Sequence, residues 1–579
     1  MQLIDALVLT LRDIGVQHIF GVSGANIEHL HDAVYRLGSG VKGSIENVLC
    51  KSEAGAAFMA DGQARLLGGI GVCCATSGGG MMNLAVGIAE SRASNVPVLA
   101  LIGLPARAGW GQGAFQDSSG GDNGVDAPAF WQALSKFSAV VEPDQFWPQL
   151  YEAISAAVSF SPGPCVLLLP RDVMITQVPE CPTHWPTSLD AFRKISILDE
   201  AIIKELVYKL DASQRPLLIA GEAVDQSRAL AWLAQRYEMR VVTTLAATAA
   251  LGHTHPAFGG VIGIAGHPDA HELLSRADFI LVVGCQLEMM VRTPLENVLR
   301  EKEIVLIHHR IDAISSSLPI RALRADPQRV LMQLVDAGAI AKKSVDSAVP
   351  PSDRHPVRRG SVHMLPAVAV APTPCGGDFG SLLLSDALLE LQHDLDAFDQ
   401  LFFDAGNCAA TAAHYLRVAA GARSRIALGM GGMGYAICAA IGARIGSSGG
   451  RSLVICGDGA FLMAGLEIHT AIERQLPILW LVCNDSQHGM CTSRQRLFFD
   501  DRLTCSRYAE VDIWQIAQGL SASGQIWTGC VREPGELRLL LSDYLRHDRP
   551  GVLELKINVE EVPPFYPLLP LAERYAVDA

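Results

Sequence analysis

The sequence predicts an α/β protein built from three doubly wound parallel-sheet domains. Short, wholly apolar runs that read as buried strands alternate with longer stretches that read as helices along nearly the whole chain. A length of 579 residues suggests three or four domains. The third observation is Gly457-Asp458-Gly459-Ala460, set between an apolar run at 453–456 and a helical stretch at 461–473. The next strand, at 476–483, leads directly into Asn484-Asp485. Two acidic side chains therefore close successive parallel strands, where open α/β sheets collect ligands.

Taken in order, residues 1–175 form the first unit. A helix over 2–14 leads to the strand His18–Val22, and a helix opens near Glu53. Gly71–Thr76 follows as a strand, 81–92 as a helix, and Val96–Gly103 and Cys165–Leu169 as further strands. A second unit, 190–342, has strands at Pro216–Ala220, Arg240–Leu245, Phe279–Val283 and Ile304–Ile307. Residues 343–378 read as a linker, because Pro350-Pro351, Arg354, Arg358-Arg359 and a run to Pro374 give helix breakers and few periodic apolar positions. The third unit, 381–579, contains the Gly-Asp-Gly turn.

Hydrophobic residues at 49% and charged residues at 18% describe a globular chain with large cores or interfaces. A net charge of −14 argues against nucleic acid or an anionic membrane as partner. The 14 cysteines include no Cys-x-x-Cys and no zinc-type Cys/His spacing, so they read as buried small hydrophobes in a reducing compartment. No run is long and apolar enough to span a membrane, and Asp5 and Arg12 inside the first helical pattern do not suit a leader peptide. A cytoplasmic location is the expectation.

Glycines on both sides of Asp458 let backbone N–H groups approach an anion, and a helix N-terminus follows at once. Asp458 and Asp485 offer hard oxygen ligands that suit Mg²⁺ holding a diphosphate. Far away in sequence, Glu53 stands near the start of a helix rich in small residues. A first-turn glutamate ordinarily complements the helix dipole.

The strand, Gly-Asp-Gly, helix, strand, Asn-Asp arrangement resembles the signature of thiamine diphosphate-dependent enzymes. Glu53-Ala54-Gly55-Ala56 through Met59-Ala60-Asp61-Gly62 and Ala64-Arg65 is similar to that family's glutamate helix. Thr76-Ser77-Gly78-Gly79-Gly80 with Asn83, Asp404 to Cys408, and Gly429 to Tyr435 running on to Ala443 resemble its other turns. Phe115-Gln116 matches a segment of the acetolactate (acetohydroxyacid) synthases.

The resemblance implies roles residue by residue. Glu53 would hydrogen-bond the aminopyrimidine ring nitrogen, with Gln116 and Phe115 beside the reacting atoms. Asn407, Cys408, Gly431, Met433, Gly457, Gly459, Ala460 and Met490 would hold the cofactor, Met433 as the wedge that bends it and Gly431 through its carbonyl. Asp458, Asp485 and Gln487 would bind Mg²⁺, and Ser23, Gly24, Gln116, His488 and Arg494 would line the substrate pocket. Glu53 of one subunit would meet the two aspartates of another, in a homodimer or homotetramer.

The implied reaction is decarboxylation of a 2-oxo acid, pyruvate first among them, and transfer of the acyl unit to a second carbonyl compound. A 2-oxo acid decarboxylase or C–C hydrolase that does not ligate remains an alternative, as does a structural or regulatory protein with little catalysis. The chain departs from the family pattern at Asp485 (for Asn), Ser52 (for His), Asn407 and Cys408 (for Gln and His), and Arg494 (for Trp). Gln286 and Met290 replace two arginines of the central domain, which leaves the FAD of some family members open.

Overall fold

A computed structural model of the chain describes residues 1–38, 43–121, 124–224, 227–311, 314, 317–345, 362–365, 368–369, 382–522 and 524–568. Most of the expected linker, including Pro350-Pro351, Arg354, Arg358-Arg359 and Pro374, lies outside these residues.

The described chain forms three six-stranded parallel sheets. The first holds β1 (His18–Gly21), β2 (Glu46–Leu49), β3 (Gly71–Ala75), β4 (Val98–Leu104), β5 (Phe137–Val140) and β6 (Cys165–Pro170). Their order is β2-β1-β3-β4-β6-β5. The central sheet holds β7 (Pro216–Ala220), β8 (Arg240–Thr243), β9 (Phe258–Val261), β10 (Phe279–Val283), β11 (Glu303–His308) and β12 (Ile320–Arg324). It runs β12-β11-β10-β7-β8-β9, so the chain winds outward in both directions from the β7/β10 pair.

The third sheet holds β13 (Gln400–Phe403), β14 (Arg423–Ile426), β15 (Ser452–Gly457), β16 (Ile478–Asn484), β17 (Trp527–Val531) and β18 (Gly551–Lys556). Its order, β14-β13-β15-β16-β18-β17, repeats the connectivity of the first sheet. Every residue of β4 and of β16 is buried, as strands covered by helices on both faces must be.

In the first two domains four strands escape a reading based on apolar runs. β2 has one buried residue among exposed and half-buried ones, β5 is half-buried throughout, β9 contains two glycines, and β12 is an edge strand without a fully buried residue. The helix expected over 461–473 is interrupted: Asp458–Ala464 is helical, Gly465–Glu467 forms a tighter 3₁₀ turn, and Ile468–Glu473 resumes. The last helix of the central domain, Pro327–Val345, runs past residue 342. Part of the expected linker is ordered against the third domain, since Val368–Ala369 pairs antiparallel with Glu561–Val562. Among the described residues no helix is long and apolar enough to cross a membrane.

Outer domains one and three meet through two helices, α1 (Glu53–Leu67) and α4 (Tyr435–Ile445). Two further helices, α2 (Gly79–Ala93) and α3 (Asn407–Tyr415), lie on either side of the functional region. A Cβ on Gly62 would stand 2.4 Å from the Ala439 carbonyl oxygen, and one on Gly442 would stand 2.0 Å from that of Met59. Only glycine permits this approach, so the two backbones touch. Phe58, Met59, Tyr435 and Ile441 belong to one continuous core. Asp61, fully buried in the middle, accepts hydrogen bonds from Arg65 and from the Tyr435 hydroxyl at 2.6 Å. Glu90 on α2 receives the Met430 amide at 2.7 Å, which ties the glycine-rich loop 429–434 to the first domain.

Candidate active site

In the third sheet the strand order reverses between β13 and β15, and the residues that end these strands are Asp404 and Asp458. Asp404 is buried and accepts the amides of Gly434 (3.0 Å) and Ala436 (2.8 Å), so it fixes the loop that presents Met433. Burial pushes its carboxyl up to about 6. Gly431 has a φ of +64° and open space where a Cβ would be, leaving its backbone accessible. A Cβ on Gly459 would stand 3.0 Å from Met433 Cε and 2.9 Å from His488 Nδ1, which places these three residues around one opening. Gly457 and Ala460 flank Asp458 on the strand and on the helix α5 (Asp458–Ala464).

Asp458 is 2% exposed, and its Oδ2 has no hydrogen-bond partner. Asp485, at the end of β16, shares the pocket. Burial and then the Asp458 charge push Asp485 up to about 8, and burial raises Asp458 to about 6. Two carboxylates in so dry a place both ionise only when a cation stands between them. Gln487 donates its side-chain amide to Asp485 Oδ2 at 3.0 Å and its Oε1 accepts from Arg507 Nε at 3.3 Å, so the third hard oxygen it offers is its backbone carbonyl.

Helix α3 begins at Asn407, whose Oδ1 is buried without a partner, and helix α6 (Gly489–Phe498) begins beside it. A Cβ on Gly489 would meet Asp485 Oδ2 at 2.9 Å and Asn407 Nδ2 at 3.0 Å, so the α3 and α6 N-termini and Asp485 converge. Orphaned oxygens that want a cation, beside helix N-termini that want an anion, fit a divalent metal carrying a diphosphate.

Cys408 points away from this opening. It is 5% exposed in the core, near Cys456 and Cys483, and burial pushes its thiol up, so only its backbone faces the helix N-terminus. Met490 follows Gly489 in the first turn of α6 and is half-buried. Arg494, one turn on, is exposed, and its guanidinium lies over the Phe498 ring 5.2 Å from the centroid.

The other group of expected residues gathers at the matching place in the first sheet, between β1 and β3. Glu53 Oε2 accepts from Asn83 Nδ2 at 3.0 Å, and its Oε1 lies 3.1 Å from where a Gly80 Cβ would stand. Ser52 caps α1 by accepting the Gly55 amide. Gln116 sits over Gly78 in a left-handed conformation (φ +60°), and its Oε1 accepts from Thr76 Oγ1 at 3.3 Å. Phe115, 79% exposed, projects from the same loop, and Ser23 and Gly24 border Thr76 at the end of β1. Within one chain, among the described residues, no hydrogen bond joins Glu53 to Asp458 or Asp485.

Two residues absent from the sequence reading matter here. Glu467, buried, reaches from the third domain to accept the Lys51 amide (2.9 Å), the Ser52 amide (2.6 Å) and the Ser52 hydroxyl (3.0 Å), clamping the start of α1. Tyr508 stands against Asp458 from an irregular segment. Neither lies in a motif or a periodic run, so no local signal marks them.

The glycine turns of the central domain are differently disposed. The amides of Ala223, Ile264, Gly266 and Gly284 donate to protein carbonyls, and that of Gln286 to Glu288. Glu222 and Glu288 put carboxylates near the same strand ends. This set does not fit the diphosphate of FAD. A cavity of about 600 Å³ opens between the first and central domains, lined by residues such as Arg65, Asn95, Phe160, His309 and Gln328, away from Glu53 and Asp458.

Three domain models of one enzyme family match the chain. Residues 1–123, 203–334 and 404–555 match, respectively, the N-terminal TPP-binding, central and C-terminal TPP-binding domains of thiamine pyrophosphate enzymes. The chain is 26% identical to the probable acetolactate synthase large subunit of Methanocaldococcus jannaschii, over 97% of this chain and 93% of that one. It is 27% identical to the acetolactate synthase of Arthrospira platensis (96% and 94% covered) and 26% identical to the acetolactate synthase isozyme 2 large subunit of Escherichia coli (97% and 96% covered). The chain belongs to the thiamine pyrophosphate (thiamine diphosphate) enzymes, as an acetolactate synthase-like member.

Proposed function

We propose that this enzyme is a Mg²⁺-dependent carboligase that decarboxylates a 2-oxo acid, pyruvate first among them, and joins the remaining acyl unit to a second carbonyl compound. The observation that carries the reading is the Asp458–Asp485 pair, Asp458 buried with an unpartnered oxygen and Asp485 half-buried beside it, where the N-termini of α3 and α6 converge. Asp458, Asp485 and the Gln487 carbonyl would hold Mg²⁺, while the helix N-termini, Asn407 and the Gly457–Ala460 turn would receive the diphosphate. Gly431 and Met433 would set the cofactor's bend. When bound, thiamine diphosphate supplies a carbon nucleophile that also serves as the electron sink for CO₂ loss.

Glu53, oriented by Asn83, holds a proton at the aminopyrimidine nitrogen. Apolar side chains stand bare beside each half of the site: Leu462, Met463 and Leu466 follow Asp458, and Met82 and Val86 flank Asn83. A second copy of the chain that brings Glu53 to Asp458 would cover them, so the active unit is at least a homodimer. No histidine occurs between residues 105 and 125 to handle protonation, whereas Gln116 is held in place there, which favours ligation over aldehyde release. Arg494 gives an anionic group of the acceptor a guanidinium to pair with.

Incubation with thiamine diphosphate, Mg²⁺ and pyruvate, with and without a panel of 2-oxo acid and aldehyde acceptors, separates the outcomes by product. An acetohydroxy acid or acyloin supports the reading. Acetaldehyde alone would overturn it in favour of a simple decarboxylase.

A further inference from the structure

Residues 506–508 run antiparallel to the metal turn 486–488. His488 donates its amide to the Ser506 carbonyl at 2.7 Å, Tyr508 donates to that of Ser486 at 3.1 Å, and Gln487 and Arg507 form a β-bridge. Arg507 Nε adds a bond to Gln487 Oε1 at 3.3 Å. Beyond Tyr508 the segment is anchored from below by Lys556, which is fully buried at the end of β18. Its ammonium donates to Glu510 Oε1 and to the Val511 carbonyl, both at 3.0 Å, and pairs with the buried Glu554 at 2.9 Å. Asn484, the residue before Asp485, donates to the same Val511 carbonyl at 2.7 Å. The backbone of Tyr508 is therefore fixed to the metal turn from both sides, and its ring packs edge-on to His488 with centroids 5.5 Å apart.

This anchoring sets the Tyr508 hydroxyl against the Asp458 carboxylate. Yet neither Tyr508 Oη nor Asp458 Oδ2 has a well-formed hydrogen bond, although both atoms are buried. Leaving two such atoms unsatisfied is costly, and here they are neighbours with complementary needs. The carboxylate oxygen accepts a cation, and the hydroxyl has a proton to donate to an oxygen bound to that cation.

We propose that Tyr508 is a further ligand-binding residue of the site, its hydroxyl donating to an anionic or water oxygen coordinated to the cation on Asp458. The inference rests on the Mg²⁺–diphosphate reading above and adds to it a residue outside the Gly-Asp-Gly and Asn-Asp turns. The oxygen belongs either to the diphosphate or to a water on the metal.

Calorimetric titration of the full-length wild type and Tyr508→Phe with Mg²⁺ plus thiamine diphosphate, and with Mg²⁺ plus inorganic diphosphate, decides the matter. Mn²⁺ binding without diphosphate, followed by electron paramagnetic resonance, forms a third arm. Loss of a group that supports a metal ligand weakens binding about tenfold or more, and that loss is expected in both diphosphate titrations. Unchanged Mn²⁺ binding would then assign the oxygen to the diphosphate, and weakened Mn²⁺ binding to metal-bound water. Equal diphosphate affinities in the two proteins would overturn the inference, as would a matching fall in the melting temperature of the ligand-free variant, which would make the role structural. A wild type that binds no diphosphate with Mg²⁺ would bring down the underlying reading as well.

Discussion

Gly55 lies in the first turn of α1, two residues after Glu53, and carries a sharp prediction about how the third domain holds the catalytic helix. A methyl group at this position would stand 2.3 Å from Glu467 Oε1, 2.6 Å from Cδ and 2.8 Å from Cγ. Glu467 cannot swing aside freely, because that same Oε1 accepts the Lys51 and Ser52 amides and the Ser52 hydroxyl. Gly55→Ala therefore either strains the contact or strands two amides and a buried carboxylate. Each stranded group costs about 1–3 kcal/mol. Replacing a helical glycine returns only about 0.5–1 kcal/mol. With the three groups at the lower end of that range the expected net loss is at least about 2 kcal/mol, or roughly 4–8 °C in the melting temperature of a domain of about 150–250 residues.

The reasoning is checked by a thermodynamic cycle. Gly55→Ala, Glu467→Ala and the double variant are compared by thermal unfolding and by turnover at saturating cofactor. Once Glu467 is alanine the three atoms nearest the added methyl are gone, so Gly55→Ala should cost far less, or nothing, in that background. An equal cost in both backgrounds would refute the proposed contact, and so would a Gly55→Ala single variant as stable as the wild type.

Glu53→Gln should lower turnover by about 10²-fold or more while leaving thiamine diphosphate affinity nearly unchanged, because the lost function is proton handling; steady-state rates and calorimetry together report this. Burial pushes His253, His271 and His308 down to about 4 and His309 and His414 to about 3, so the native state keeps them neutral while the unfolded chain protonates them near 6.5. Stability is then fully present above about pH 7 and lost as pH falls from 6.5 towards 4, a slope that melting temperatures across that range should show. Asp485 has the opposite sign. Its carboxyl is raised to about 8, so the metal-free protein loses stability as pH rises from about 4 through 8, and Asp485→Asn should flatten that slope; equal slopes in melts of the two metal-free proteins would count against the shared-pocket electrostatics.

How legible the structure is from sequence depends on what fixes each part. Buried strands such as Phe279–Val283 announce themselves, since both faces are covered and the run is wholly apolar. Edge strands do not: Ile320–Arg324 carries two arginines because one side of it has no neighbour. Asp458 and Asp485 are marked by a glycine turn and by strand ends, where local geometry constrains residue type, whereas Glu53 and Gln116 are legible only through the family resemblance of the segments around them. Cys408 is misread because the register of a motif gives a position and not a side-chain direction, and its thiol turns into the core. Glu467 and Tyr508 depend on contacts between segments far apart in the chain, which leave no local pattern.

The contact between α1 and α4 bears on how molecules enter and leave. Where Gly62 faces Ala439 and Gly442 faces Met59, main chain rests on main chain, with no side chain between them to change rotamer and absorb a displacement. Such a seam resists sliding and shear, because any relative shift drives bonded backbone atoms into one another. The outer two domains therefore move as one piece. Any opening for incoming and outgoing molecules therefore falls to parts of the site other than this seam.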